Sequence, residues 1–192
     1  MQKIAAILQL EGPVFDAGTE ARLEFAETVH RNAGLVVRET DQGRVILFMR
    51  AKSAAICAIE LRRLDETSAT DLNIAALLCG AISLGPVTIA QETVDGDAVE
   101  VAANLATILE PGDIFVSGTC RKALADKIPV DYTQLRENPS SGYRLVVDSN
   151  EVLSAIRHEN PVPPAWSWKV TMPAFSMVFF VTLAWFWFNA SD

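Results

Sequence analysis

Gly96-Asp97-Ala98-Val99-Glu100-Val101-Ala102-Ala103-Asn104-Leu105 is followed closely by Glu110-Pro111-Gly112-Asp113-Ile114-Phe115-Val116-Ser117. A helix is read over Gly96–Leu109, opening at the glycine–aspartate turn. Glu110-Pro111-Gly112 is a turn signal. Asp113–Ser117 is a short apolar strand. Downstream, Arg121–Lys127 reads as a short helix and Tyr143–Val147 as a final strand. Upstream, Asn73–Leu84 reads as a buried strand, and Ala51–Leu64 as a helix with Ala55, Ile56, Ile59 and Leu64 on one stripe. Leu35–Arg38 and Arg44–Met49 flank the polar stretch Glu39–Gly43, a hairpin signal with its turn at Asp41–Gly43. Glu20–Ala33 carries apolar residues at helical spacing and ends before Gly34, and Ile4–Leu10 is a first strand. The order β-α-β-β-α-β-α-β-α-β predicts an α+β domain of ferredoxin-like plan with additions, an antiparallel-rich sheet with flanking helices. No internal repeat is visible.

Composition narrows the function classes. Half of the 192 residues are hydrophobic and 21% are charged, enough apolar material for a core, which argues against disorder. A net charge of -8 disfavours nucleic-acid binding, which needs a basic surface. The three cysteines, Cys57, Cys79 and Cys120, form no C-x-x-C pair, and only His30 and His158 could join them, so no structural zinc is expected. They read as buried free thiols in a reducing compartment. Met1–Leu10 lacks the long apolar core of a signal peptide and reads as a buried strand.

The last part of the chain differs in kind. Residues 170–188 contain no charged side chain and are strongly apolar. That length matches the roughly 20 residues a transmembrane helix needs. Trp166, Trp168, Trp185 and Trp187 cluster near its ends, as interfacial belts do. Residues 151–169, with Pro161, Pro163 and Pro164, read as a stiff juxtamembrane linker. Lys169 and Arg157 precede the apolar run, and Asp192 follows it. The expectation is a domain over residues 1–150 on the cytoplasmic side, tethered by one C-terminal transmembrane helix, with the bacterial inner membrane as its location.

The order of elements and turns resembles the catalytic domain of class III nucleotidyl cyclases, over Met1–Asp148. Its most specific part is the stretch quoted first, where the family reads G-D-x-V-N-x-A-A-R-L, then P-G and a strand ending in serine. The second landmark is Ala33-Gly34-Leu35-Val36-Val37-Arg38 through Phe48, where the family has a glycine, a strand, G-D-G and a strand ending in phenylalanine. The third is Ile4–Gly12, a strand that in the family carries an aspartate. The resemblance implies head-to-tail pairing of two chains, with sites at the interface. Two aspartates of one chain hold two divalent metals. The other chain supplies an asparagine that orients the ribose and an arginine that stabilises phosphate charge.

Each of those positions departs from the pattern. The metal aspartates align with Gln9 and Gln42, the asparagine with Glu100 and the arginine with Asn104. Glutamine is a poor magnesium ligand, and Glu100 adds negative charge where a triphosphate would lie. A one-residue slip of register could bring Asp41 or Glu11 into a metal role, although such a slip turns a side chain to the opposite face. Arg38 aligns with a base-selecting lysine and Thr93 with a base-contacting position, possible purine contacts without a working phosphate site. The leading expectation is a catalytically degenerate, membrane-tethered cyclase homology domain, a regulatory module forming a homodimer or a heterodimer with another cyclase-like domain, with no cofactor. The alternatives are an unconventional cyclase using magnesium or manganese, and a purine-nucleotide sensor without turnover.

Overall fold

The computed structural model describes residues 2–11, 19–40, 43–72, 78–90, 93–134, 142–146 and Ser154. All lie in the first of two units into which the chain divides, residues 1–156.

The elements are β1 (Gln2–Glu11), α1 (Thr19–Arg31), β2 (Gly34–Glu39), β3 (Gly43–Phe48), α2 (Ala51–Leu72), β4 (Cys79–Ala90), β5 (Thr93–Asp95), α3 (Asp97–Ala106), β6 (Ile114–Ser117), α4 (Gly118–Leu124), β7 (Asp131–Gln134) and β8 (Gly142–Val146). The strands form one sheet in the order β2-β3-β1-β4-β6-β8-β7, with β5 pairing β4. Only β4 and β6 run parallel; the other pairs are antiparallel. The half β2-β3-β1-β4 with α1 and α2 is the expected ferredoxin-like plan, and β6, β8 and β7 extend it beyond β4.

Both faces of the sheet are covered, so β1 reads as an unbroken apolar run and not as an alternation. Ala6, Leu8 and Leu10 pack with Ile46, Phe48, Ile59, Leu124 and Leu145 under the layer of α1, α2 and α4. Ala5 and Ile7 point the other way and pack with Val45, Leu47, Val87, Ala98, Val99 and Ala102 under α3. Alternate residues of one strand thus serve two cores.

Local chemistry sets the bounds of α3. Gly96 precedes it with φ 133, and a Cβ there would meet Pro86 O at 2.7 Å. Only glycine fits. Asp97 and Glu100 in the first turn complement the helix dipole. Gly112, at φ 84, closes the following turn, with Asp113 N donating to Glu110 O at 3.0 Å.

Several expected bounds are corrected. The strand expected at Asn73–Leu84 is Cys79–Ala90; it continues past Gly85-Pro86, and residues 73–77 lie outside the described set. Pro86 falls between the stretches of β4 that pair β6 (Gly80–Ile82) and β5 (Thr88–Ala90), so one edge there has no strand whose ladder needs its N–H. Helix α2 runs to Leu72, beyond the apolar stripe that ends at Leu64, because extending a formed helix costs little. Helix α4 starts at Gly118, three residues earlier than expected, because Ser117 Oγ caps it by accepting from Cys120 N at 3.2 Å. Strands β5 and β7 were not foreseen. Among the described residues no helix is long and apolar enough to cross a membrane. The run 170–188, and the linker 151–169 apart from Ser154, lie outside them.

Candidate functional site

Gln9 sits near the end of β1, paired with Val45 of β3 and Ala81 of β4. The two-residue period that sends Ala5 and Ile7 toward α3 sends Gln9 and Glu11 to the same face. Gln9 Nε2 donates to Glu11 Oε1 at 3.0 Å. Glu11 shares the face of Gln9, so the change of face that argues against Asp41 does not apply to it. Opposite Glu11 is Gly43, where a Cβ would lie 2.2 Å from Leu10 O, so the start of β3 presses directly on β1. Thr40 and Gly43 bond each other across the hairpin, Thr40 N donating to Gly43 O at 2.9 Å. Asp41 and Gln42, between them, lie outside the described residues.

Carboxylates continue along this end of the sheet. Cys79 is paired with Glu11, and its Sγ donates to Glu11 O at 3.4 Å. Burial raises the Cys79 thiol pKa, and the nearby charges of Glu11 and Asp113 raise it further. Arg144 Nη2 of β8 holds Asp113 Oδ2 at 2.6 Å and Glu110 Oε2 at 3.3 Å, with the guanidinium over the Phe115 ring. The Asp113–Arg144 pair joins residues 31 apart in the chain. Both residues were visible, at a turn and in a strand, but nothing in the sequence joined β6 to β8. Among the described residues no group of three or more His, Cys, Asp or Glu is placed to hold a metal ion. The described donors here, one amide and one carboxylate on β1, do not fit the two-metal centre that the resemblance implies.

Glu100 and Asn104 lie four residues apart on α3, and both are exposed. Ala98, Val99, Ala102, Leu105 and Ala106 take the buried side of this helix. Glu100 and Asn104 therefore face away from the sheet face that carries Gln9. Beside them, Val101 is 37% and Ile108 46% exposed, an apolar contribution to an outward surface. Arg38, on β2, lies with Nη2 4.0 Å from Asp95 Oδ1 on β5. Both side chains are largely in solvent, so this pair contributes little to stability. Thr93, two residues before Asp95 on the same side of β5, donates from Oγ1 to Ala90 O at 3.0 Å. The structure thus brings Arg38 of β2 close to β5, the strand of Thr93, although the two strands do not pair.

This sheet order, with α3 on one face and α1, α2 and α4 on the other, is the fold of a class III adenylate/guanylate cyclase domain. The structure matches an adenylate/guanylate cyclase/hydrolase from Silicibacter pomeroyi with a TM-score of 0.63 and 24% identity, covering 77% of this chain and 99% of that one. It matches the adenylyl cyclase CyaB from P. aeruginosa with a TM-score of 0.64 and 15% identity, over 77% and 95% of the two chains. In sequence, the chain is 26% identical over 138 residues to a putative adenylate cyclase 3 of Rhizobium meliloti (strain 1021), across 71% of this chain. The matched part spans 21% of that longer relative. No family model matches the sequence.

Proposed function

We propose that this chain is a catalytically silent cyclase homology domain, tethered to a membrane by residues 170–188 and acting as a pairing module in signalling. One observation carries the reading. The β1 position that in the family holds metal is the amide of Gln9, already bonded to Glu11. The neutral amide brings no negative charge to a position where magnesium favours a carboxylate. The complementary positions fail in the other sense: Glu100 adds negative charge, and Asn104 lacks the charge of an arginine. Neither half of a two-chain site is therefore completed by the usual chemistry. Pairing is supported by the outward surface of α3, where Val101 and Ile108 flank Glu100 and Asn104. Confinement by the apolar run raises the local concentration for pairing. The test is purified full-length protein in lipid with ATP or GTP and magnesium or manganese, with products followed by mass spectrometry. No cyclic nucleotide is expected; robust turnover overturns the reading.

A second reading has its own observation. Glu11 places a carboxylate on the face of Gln9 at the same strand end. An unconventional cyclase would use it as a metal ligand, and its turnover would vanish in Glu11→Gln.

A further inference from the structure

The negative charge of the chain is not spread evenly. Residues 64–120 hold nine of its 24 Asp and Glu, and none of its 16 Lys and Arg or two His. That excess accounts for the whole net charge of -8, so the rest of the chain is close to neutral. Helix α3 lies inside this stretch. Asp95 precedes it, Asp97 and Glu100 stand in its first turn, and Glu110 follows it. All four are exposed. Asp95 has Arg38 4.0 Å away, and Arg144 takes Glu110 and Asp113. Among the described residues no lysine or arginine pairs with Asp97 or Glu100.

The outward side of α3 is apolar as well as acidic. Ala98, Val99, Ala102, Leu105 and Ala106 take the buried side. Asp97, Val101 and Asn104 recur at helical spacing on the other, with Glu100 beside them. Val101 is 37% exposed, and Ile108, in the turn that closes the helix, is 46% exposed. Apolar side chains edged by unpaired carboxylates suit a surface of opposite charge. We propose that this side of α3 docks a different chain, one presenting apolar side chains beside lysine or arginine, and not a second copy of its own. This rests on the pairing role proposed above and selects its partner.

A second copy is the poorer fit. In a two-fold pair built on α3, the same surface lies on both sides of the contact. Asp97 and Glu100 of each copy would then approach those of the other, and like charges brought together oppose association. Shifting the contact along residues 64–120 gives no relief, because that stretch holds no cation. A basic partner meets both carboxylates with attraction, while Val101 and Ile108 supply apolar area to bury.

The experiment uses the full-length chain in a neutral detergent. The probe is the same chain carrying Asp97→Lys and Glu100→Lys, which keeps Val101 and Ile108 and turns the surface basic. Donor- and acceptor-labelled copies are mixed in three combinations, native with native, probe with probe and native with probe. Energy transfer is titrated against concentration, and circular dichroism and melting verify that each variant folds. The native chain is expected to bind the probe about tenfold or more tightly than it binds itself, with the probe binding itself no better than native binds native. High salt should shrink that preference. Val101→Ser with Ile108→Ser in the native chain leaves every charge in place and should weaken the mixed pair by about threefold or more. Native–native association as tight as the mixed pair overturns the inference and leaves the pairing role standing. No association in any mixture overturns it together with the pairing role of α3. A mixed pair that salt or the serine variant leaves unchanged overturns the assignment of the contact to this side of the helix.

Discussion

Gln9 and Glu11 share one face of β1, joined by a 3.0 Å hydrogen bond from the amide to the carboxylate. Converting Gln9 to aspartate would set two carboxylates side by side. Like charges this close disfavour each other's ionised form. Gln9→Asp is expected to lower stability near neutral pH by on the order of 1 kcal/mol, since it replaces a hydrogen bond with repulsion. The loss should shrink as pH falls and one carboxyl takes up a proton. Urea denaturation across a pH series measures this; a Gln9→Asp protein equally destabilised at low pH would contradict it.

Activity is a separate question from that local electrostatics. Losing a single transition-state donor costs about 2.7 to 4 kcal/mol of barrier, and the proposed function counts several such losses, although they do not simply add. Gln9→Asp alone is therefore expected to form no cyclic product. Gln9→Asp, Gln42→Asp, Glu100→Asn and Asn104→Arg combined are the smallest set that rebuilds both halves of a site. Product from the single substitution would show that the remaining positions are not the obstacle.

Gly34 and Gly112 are expected to fail differently when replaced. At Gly34 a Cβ would lie 2.6 Å from Phe48 Cε1 and 2.9 Å from Val29 Cγ1. Phe48 is fully buried, so it has nowhere to yield. Gly34→Ala should cost about 1–3 kcal/mol by overpacking, partly recovered by Phe48→Leu. Gly112 has φ 84, and among the described residues nothing lies within 4 Å of where a Cβ would stand. Gly112→Ala should cost about 1 kcal/mol, from backbone strain alone, and Gly112→Asn less, because asparagine tolerates that region. Denaturation midpoints of the four variants check the pattern.

Burial holds the thiols of Cys57 and Cys120 far above their ordinary value of 9.0, at about 12, with Glu60 adding to the effect at Cys57. The folded chain keeps these protons where the unfolded chain sheds them. The associated stability is complete below pH 9 and is lost as pH climbs toward 12, by on the order of a few kcal/mol. Cys57→Ala with Cys120→Ala should flatten that alkaline slope. At pH 8 a thiol reagent should leave both residues unmodified in the native protein and label them at once in denaturant. Fast native labelling of either would refute their burial.

The apolar run 170–188 makes a prediction independent of any chemistry at the sheet. The full chain is expected to partition into membranes and a chain ending at Asn160 to stay in the aqueous fraction. Flotation on a density gradient reads this out. Recovery of the full chain in the soluble fraction without detergent would remove the anchor from the proposed function.

Much of the fold was legible in the sequence, because periodicity and turn chemistry are local. The helix–turn–strand from Gly96 to Ser117 and the hairpin through Gly43 carry glycines at places where a side chain would collide or strain. Strands β5 and β7 were missed because they are three and four residues long and mainly exposed, with no apolar run to mark them. The end of β4 was missed because Gly85-Pro86 reads as a break, and only the neighbouring strands show that Pro86 is tolerated there. For the candidate site, the sequence supplied Gln9, Glu100 and Asn104 by alignment. That Glu11 shares the face of Gln9 follows from strand alternation alone. The partners Asp95, for Arg38, and Arg144, for Asp113, come from distant stretches of the chain that only the folded sheet brings together, and no local signal encodes that.

Strand β4 also dictates an order of assembly. It is antiparallel to β1 on one side and parallel to β6 on the other, and the two halves of the sheet meet nowhere else among the described residues. As the polypeptide leaves the ribosome, β1 can pair with β3 early, but its other edge stays bare until Cys79–Ala90 has emerged. The distal strands β6, β8 and β7 have no template before that moment. Closing the long loop between Leu8 and Ile82 is the entropically slow step, and local elements cannot hasten it. A nascent chain stalled before β4 displays an apolar strand with an open edge, the kind of species that chaperones retain and that self-associates when they do not.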